Sequence, residues 1–428
     1  MTEHRHLKQR VRERMARTGE TYSTARRHLL ARTERDRLPD GLVPGYDVFG
    51  PGPHRASSLV ARLLRQAGHL APHTGQPFTD AMVCGLGGGI GFMYAIFEYA
   101  KIPPLITIVA QHHPRPWLPA VLDRLGIGFD EGHSASTQRA MEALHGGLTR
   151  ERAVYCLVDR GGLPWYEASP ALSSDPYPVV VAGADGGALF VDDRDESPHA
   201  LPEEEFAVAW ARHKKGRHHR VTVRGPETAV DLPAAIRSAL ATTVAHLTGP
   251  VLGNSFDANF GFSGMARFAQ QLRDGRTKSG WARRFAEPGA FAWALLRLHD
   301  CLEVEYTAPG ATRPVYAEFL DEAAGVLDQP ALGEAAAVLR ESSRNWSRLA
   351  DLAAETADGM GEVTSLAQRR MAIVMTEGAA GANEIAALSA EMAAQGSPGP
   401  DPALLDELAD LVDNARALEQ KAIALLTV

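Results

Sequence analysis

The chain has 428 residues and a formal net charge of −8, with an ordinary balance of apolar and charged side chains. That length is enough for two domains of a globular protein. No run approaches the roughly 18 apolar residues of a membrane span, and three widely spaced cysteines, Cys84, Cys156 and Cys301, form neither a disulfide framework nor a zinc pattern. The first residues are rich in His and Arg and lead into no apolar run, so no secretory signal and a cytoplasmic location are expected.

From Met1 to about Leu38, Lys and Arg outnumber Asp and Glu by six, against the acidic balance elsewhere. Val11, Met15, Tyr22 and Leu29 have helical spacing, which reads as a basic helical arm. Such an arm is either a solvated helix packed on the body or a dock for an acidic partner. Without a binding motif or interleaved aromatics, nucleic acid is not expected.

Pro39 to Pro53 is rich in Pro and Gly and reads as a lead-in loop. Ser57 or Ser58 then caps a helix whose apolar face is Leu59, Leu63, Leu64 and Ala67. A helix start is a place where anions and thiolates are stabilised.

Gly85, Gly87, Gly88, Gly89 and Gly91 fall within seven residues, between an amphipathic helical run and an aromatic-rich one. Bare backbone of this kind suits either a ligand or a close-packed helix. It matches neither a Walker loop, which needs Lys and Ser or Thr after the last Gly, nor the Rossmann spacing.

Ile106 to Ala110 is a β-branched strand followed by the loop Gln111-His112-His113-Pro114, whose adjacent histidines make no metal-binding pattern; no metal is expected. Leu118 to Leu125 and Ser134 to Leu144 read as helices, and Val154 to Asp159 as a buried strand running into the Gly161–Tyr166 turn. Pro178 to Ala182 and Ala188 to Asp192 are strands joined by the hairpin signal Asp185-Gly186-Gly187. Thr222 to Arg224 closes the sheet. Helices followed by an antiparallel sheet define an α+β domain over about residues 39–225.

From Pro226 the apolar period is helical: Leu232 to Leu247, Gly264 to Leu272, Ala290 to Glu303, Pro314 to Leu327, Leu332 to Ala354, Met360 to Met375 and Leu404 to Leu426. Residues 226–428 therefore form an all-helical domain.

His54 to Leu59 opening a helix, Met82 to Phe92, Val158-Asp159 with Leu163 to Tyr166, and Val179 to Gly183 leading to Val191-Asp192-Asp193 carry a resemblance. So does the helical half, above all Tyr306 to Gly310 leading to Tyr316 to Ala323. Over about Tyr46 to Ala354 the chain resembles the butirosin-biosynthesis acyltransferase family with its accompanying helical domain. The resemblance implies a papain-like cysteine-peptidase fold that moves an acyl group from a carrier-protein thioester to an amine.

The family places a nucleophilic Cys beside the His of the first helix, a His at the start of the Val-rich strand and an Asp near the end of the next. Here Arg55 or His54 stands at the Cys position, Tyr177 at the His position, and Asp192 or Asp193 at the acidic one. Cys84 precedes the glycine loop and reads as a buried apolar residue.

Aminolysis of a thioester needs no covalent enzyme intermediate, because positioning and general-base help already lower the barrier. What the resemblance then implies is a carrier-dependent N-acyltransferase with His54, Tyr177 and Asp193 catalytic. Ser57 and Ser58 mark the oxyanion-holding helix start, and Gly87, Gly88, Gly89, Trp165 and Tyr166 contact the substrates. Phosphopantetheine would arrive on an acyl or peptidyl carrier protein docked on the basic arm, with no tightly bound cofactor and an amine such as an amino sugar as acceptor. The alternatives are a non-catalytic peptidase-fold scaffold of an assembly line and a Cys84-dependent hydrolase; a homodimer is left open.

Overall fold

A computed structural model of the chain describes residues 38–98, 103–113, 117–166, 176–213, 216–305, 307–377, 380–396 and 398–426. The basic arm lies outside these residues, Leu38 apart. Among them no helix is long and apolar enough to cross a membrane.

The first helix, α1 (Arg55–Gln66), starts at His54, whose backbone is still extended. Its first turn contains Ser57 and Ser58, both buried, and the Ser58 N–H already bonds the His54 carbonyl at 3.0 Å. The serines therefore do not cap it, as their residue type suggests, because the chain turns helical two residues earlier. Helix α2 (Asp80–Leu86) is capped by Thr79, whose hydroxyl accepts from the Met82 N–H at 2.9 Å.

The aromatic-rich run after the glycines is a strand, β1 (Ile90–Phe97), paired antiparallel with β2 (Leu105–Gln111). Helix α3 (Trp117–Leu125), β3 (Phe129–Gly132), α4 (Thr137–Thr149) and β4 (Val154–Asp159) follow. Then come β5 (Pro176–Asp185), β6 (Ala188–Asp192), β7 (His199–Pro202), α5 (Glu203–Arg212) and β8 (Arg220–Val223). Six of these strands form an antiparallel sheet in the order β3-β8-β4-β5-β6-β7. Gly186 and Gly187 turn the β5–β6 hairpin with positive φ, as the sequence signal requires. Alternation along the strands sends Tyr155, Val180, Ala182 and Val221 to one core, and Val154, Cys156, Val158, Val179 and Val181 to a second under α4 and α5.

The remainder is helical: α6 (Leu232–Thr248), α7 (Gly261–Arg273), α8 (Trp281–Arg284), α9 (Ala290–Glu303), α10 (Arg313–Leu327), α11 (Pro330–Gly359), α12 (Glu362–Thr376), α13 (Ala382–Ala394) and α14 (Pro402–Leu426). The architecture is α+β followed by a helical region. One apolar core is continuous from Leu59, Met82 and Phe92 through Phe268, Tyr316, Leu339 and Leu408.

A buried polar knot joins the two parts. The Arg313 guanidinium, 0 % exposed, pairs with Glu419 at 2.7 and 2.8 Å, and donates to the carbonyls of Ala110 at 2.8 Å and Gly91 at 3.1 Å. Glu419 also accepts from Ser342 and from the Trp346 indole. Every strong donor and acceptor of the pair is satisfied, which is what makes so deep a pair tolerable. Arg313→Met is expected to lose about 3–5 kcal/mol in urea denaturation, since it strands a buried carboxylate. The double variant with Glu419→Met should lose less than the single one.

Candidate active site

The Arg55 guanidinium at the start of α1 reaches across to the sheet. It donates to Asp193 Oδ1 at 2.9 Å and to the Pro178 carbonyl at 2.7 Å, and lies 3.8 Å from the centre of the Tyr177 ring. Asp193, 1 % exposed, also accepts from the Tyr177 hydroxyl at 2.8 Å, the Tyr166 hydroxyl at 2.8 Å and the Trp165 indole at 2.8 Å. The two hydroxyls are 2.5 Å apart. Two phenolic protons are thus shared over three oxygen contacts. Both oxygens of the carboxylate are engaged, so Asp193 holds the cluster in place and has no free lone pair to act as a base.

Burial pushes the Tyr177 hydroxyl up to about 12, and burial with Asp193 alongside drives Tyr166 up as well. Both are neutral phenols near pH 7, able to donate a hydrogen bond and unable to take a proton. Tyr177, expected among the catalytic residues, is therefore unsuited to accept a proton.

His54 is buried, with Nδ1 2.5 Å from Ser57 Oγ and Nε2 2.9 Å from Gln111 Oε1. Desolvation lowers its pKa from 6.5 to about 4, so the ring is neutral at physiological pH. Ser57, fully buried, sits beyond the ring beside the Cys84 thiol, which burial pushes up to about 12. Neither of these groups reaches the surface, which leaves Gln111 and the buried His54 ring as the end of the chain of contacts that borders a cleft.

That end opens into a cleft of about 280 Å³ lined by His54, Arg55, Ala56, Gln111, Tyr166 and Tyr177, with Arg160, Arg194 and Glu305 among its charged walls. The amides of Arg55 and Ala56 belong to the first turn of α1 and have no intrahelical partner. Arg160 lies 3.5 Å from Glu305, which the helical region contributes, and Arg297 holds Glu305 from behind at 2.7 Å. Arg194 is exposed, 4.5 Å from the centre of the Tyr166 ring.

The sequence-derived site residues thus divide. Arg55, Tyr177, Asp193, Trp165 and Tyr166 are in one hydrogen-bonded cluster, while His54 borders the same cleft through Gln111. Asp192, next to Asp193, points to the opposite face, where it binds Arg62 and the Tyr46 hydroxyl; burial raises its pKa to about 6. Ser58 bonds Asp80, away from the cleft. Gly87, Gly88 and Gly89 are buried and packed: a Cβ would fall on the Trp117 indole, the His112 ring and the Tyr316 ring respectively. Cys84, Cys156 and Cys301 are buried free thiols. Gln111, Arg160 and Glu305 have no local signal in the sequence, since each matters only through a partner distant along the chain.

Fold and cleft define a two-part α+β protein whose polar site lies at the start of a helix facing an antiparallel sheet, with a helical region completing its wall. Residues 54–194 match the family model described as butirosin biosynthesis protein H, N-terminal, and residues 206–379 match the domain of unknown function DUF4872. Both the start of α1 and Asp193 fall inside the first match. A search of curated proteins returns no match to the chain.

The lowered His54 pKa has a consequence for stability. Between pH 6.5 and about 4 the unfolded chain carries a proton on this residue that the folded chain does not, so its contribution falls as pH drops through that window and is constant above it. The stability difference between the wild type and His54→Gln is expected to shift by about 3 kcal/mol against the wild type from pH 7 to pH 4. Urea denaturation at the two pH values measures it, and the comparison removes the opposing effect of Asp192.

Proposed function

We propose that this chain is an acyltransferase of butirosin-type antibiotic biosynthesis, forming an amide by direct aminolysis of a carrier-bound thioester. In this reading residues 54–194 form a papain-like fold without its sulfur nucleophile. The observation that carries it is the meeting of positions 55, 177 and 193 at one cleft. The resemblance places the nucleophile at position 54 or 55, the base at 177 and its orienting acid at 192 or 193, and here Arg55, Tyr177 and Asp193 are in mutual contact.

In the proposed reaction the amine nitrogen attacks the thioester carbonyl carbon and a C–N bond forms. The oxyanion is held by the free amides of Arg55 and Ala56, with the fixed guanidinium charge nearby. The nitrogen then loses its extra proton to His54 Nε2, in the tautomer whose Nδ1–H donates to Ser57, as Gln111 swings off the Nε2 lone pair and then accepts from the new Nε2–H through its Oε1. Cleavage of the C–S bond releases the pantetheine thiolate, which takes that proton and leaves as the thiol. Tyr177 and Asp193 fix the guanidinium without exchanging protons with the substrate. Arg160 and Arg194 suit the phosphodiester of phosphopantetheine.

His54→Ala and Tyr177→Phe are each expected to slow amide formation from an acyl-loaded carrier at least tenfold while leaving the melting temperature within a few degrees. Intact-protein mass spectrometry during turnover should show product and no acyl adduct. An adduct would point to a serine or Cys84 instead, and neither product nor adduct to a scaffold.

A further inference from the structure

At the rim of the six-stranded sheet, away from the cleft, Glu131 and His133 are two residues apart at the end of β3, so their side chains leave the strand on the same face. Glu131 pairs with Val221 and Gly132 with Arg220 in the β3–β8 ladder. Continuing that register by one residue sets His133 opposite His219. The face is apolar further along, at Phe129, Val221 and Val223, and turns into this Glu-His-His group where the core gives out. Arg220 lies on the other face against Gly132, where a Cβ would meet its guanidinium.

We propose that Glu131, His133 and His219 bind a divalent cation of the zinc type. His219 Nε2 is 2.7 Å from Glu131 Oε1, His133 Nε2 is 3.7 Å from the same oxygen, and the three ligand atoms all lie within 4.8 Å of one another. Tetrahedral ligands at roughly 2.0–2.1 Å from zinc stand about 3.3 Å apart. Reaching that spacing opens the first contact by about 0.6 Å, closes the second by about 0.4 Å and closes the widest separation by at most about 1.5 Å, all through side-chain rotation.

Two neutral imidazoles and one carboxylate are the donors such an ion prefers, and the exposed side of the group leaves its fourth position to water. His133 Nδ1 is tied to the Gly216 carbonyl at 3.1 Å, which fixes its tautomer with the Nε2 lone pair toward the site. His219 is presented from a loop in which Arg217 and His218 both hold positive φ, a conformation that costs non-glycine residues energy. Ser134 clamps that loop, its N–H donating to the Arg217 carbonyl at 2.6 Å and its carbonyl bonding His218 Nδ1 at 2.8 Å.

The test titrates zinc chloride into the chelator-treated full chain by calorimetry, with cobalt(II) absorption as a second reading of coordination geometry. Wild type and His145→Ala, a control at a separate His–Glu contact, should bind one ion with equal affinity, and cobalt should give the intense visible bands of four-coordination. His133→Ala, an exposed position that tolerates truncation, and Glu131→Gln should each weaken that binding at least tenfold. His219→Ala should abolish it, with circular dichroism checking that the fold survives. Equal affinity in wild type, His133→Ala and Glu131→Gln, or no one-to-one binding at all, overturns the assignment.

Discussion

A carboxylate taken out of water must be matched by donors or neutralised, and Asp193 is matched four times over. Its partners come from three separate segments: Arg55 from α1, Trp165 and Tyr166 from the turn after β4, and Tyr177 from β5. Satisfying one charge thus fixes the approach of the first helix to the sheet, and the cleft is the space left beside that approach. Asp192 repeats the arrangement one residue earlier on the opposite face, with Arg62 and Tyr46. The end of β6 is therefore pinned to α1 on both sides.

The glycine cluster plays the complementary part. Gly85 packs so closely under Phe319, and Gly89 under Tyr316, that any side chain there would occupy the aromatic rings. Gly89 also holds positive φ, as does Gly88. The loop is bare where helix α10 lies on Gly85 and Gly89, the Trp117 indole on Gly87 and the His112 ring on Gly88.

Much of the fold was legible because it depends on local pattern. The buried valine strands, the β5–β6 hairpin and most helices of the second half follow from period and turn chemistry, and Ala290–Glu303 agrees residue for residue. Strand β1 was not legible, because its first six residues are all buried and show no alternation. Strand β3 escaped because Asp130 and Glu131 are exposed on a four-residue segment with little apolar signal. In the cleft, His54, Tyr177 and Asp193 could be named from the motifs around them. That Tyr177 is bound by Asp193 while His54 is bound by Gln111 could not, since it depends on which strand end meets which helix. The sequence also offered no base beside Ser57, whereas the fold puts His54 three residues earlier within hydrogen-bond reach, with Ser57 buried behind the ring.

Arg313 offers two of its protons to peptide oxygens in β1 and β2, while its charge is answered by a glutamate near the far end of the chain. Cutting the polypeptide between the two matched segments would leave those oxygens unbonded, strip Tyr316 and Phe319 from the glycines, and take Glu305 from the cleft wall. The segment boundary visible in sequence comparisons is consequently no seam for dissection. An isolated amino-terminal piece would be a solubility problem before it became an assay, and swapping the carboxy-terminal helices between relatives would have to carry the arginine, its acid and the two rings together.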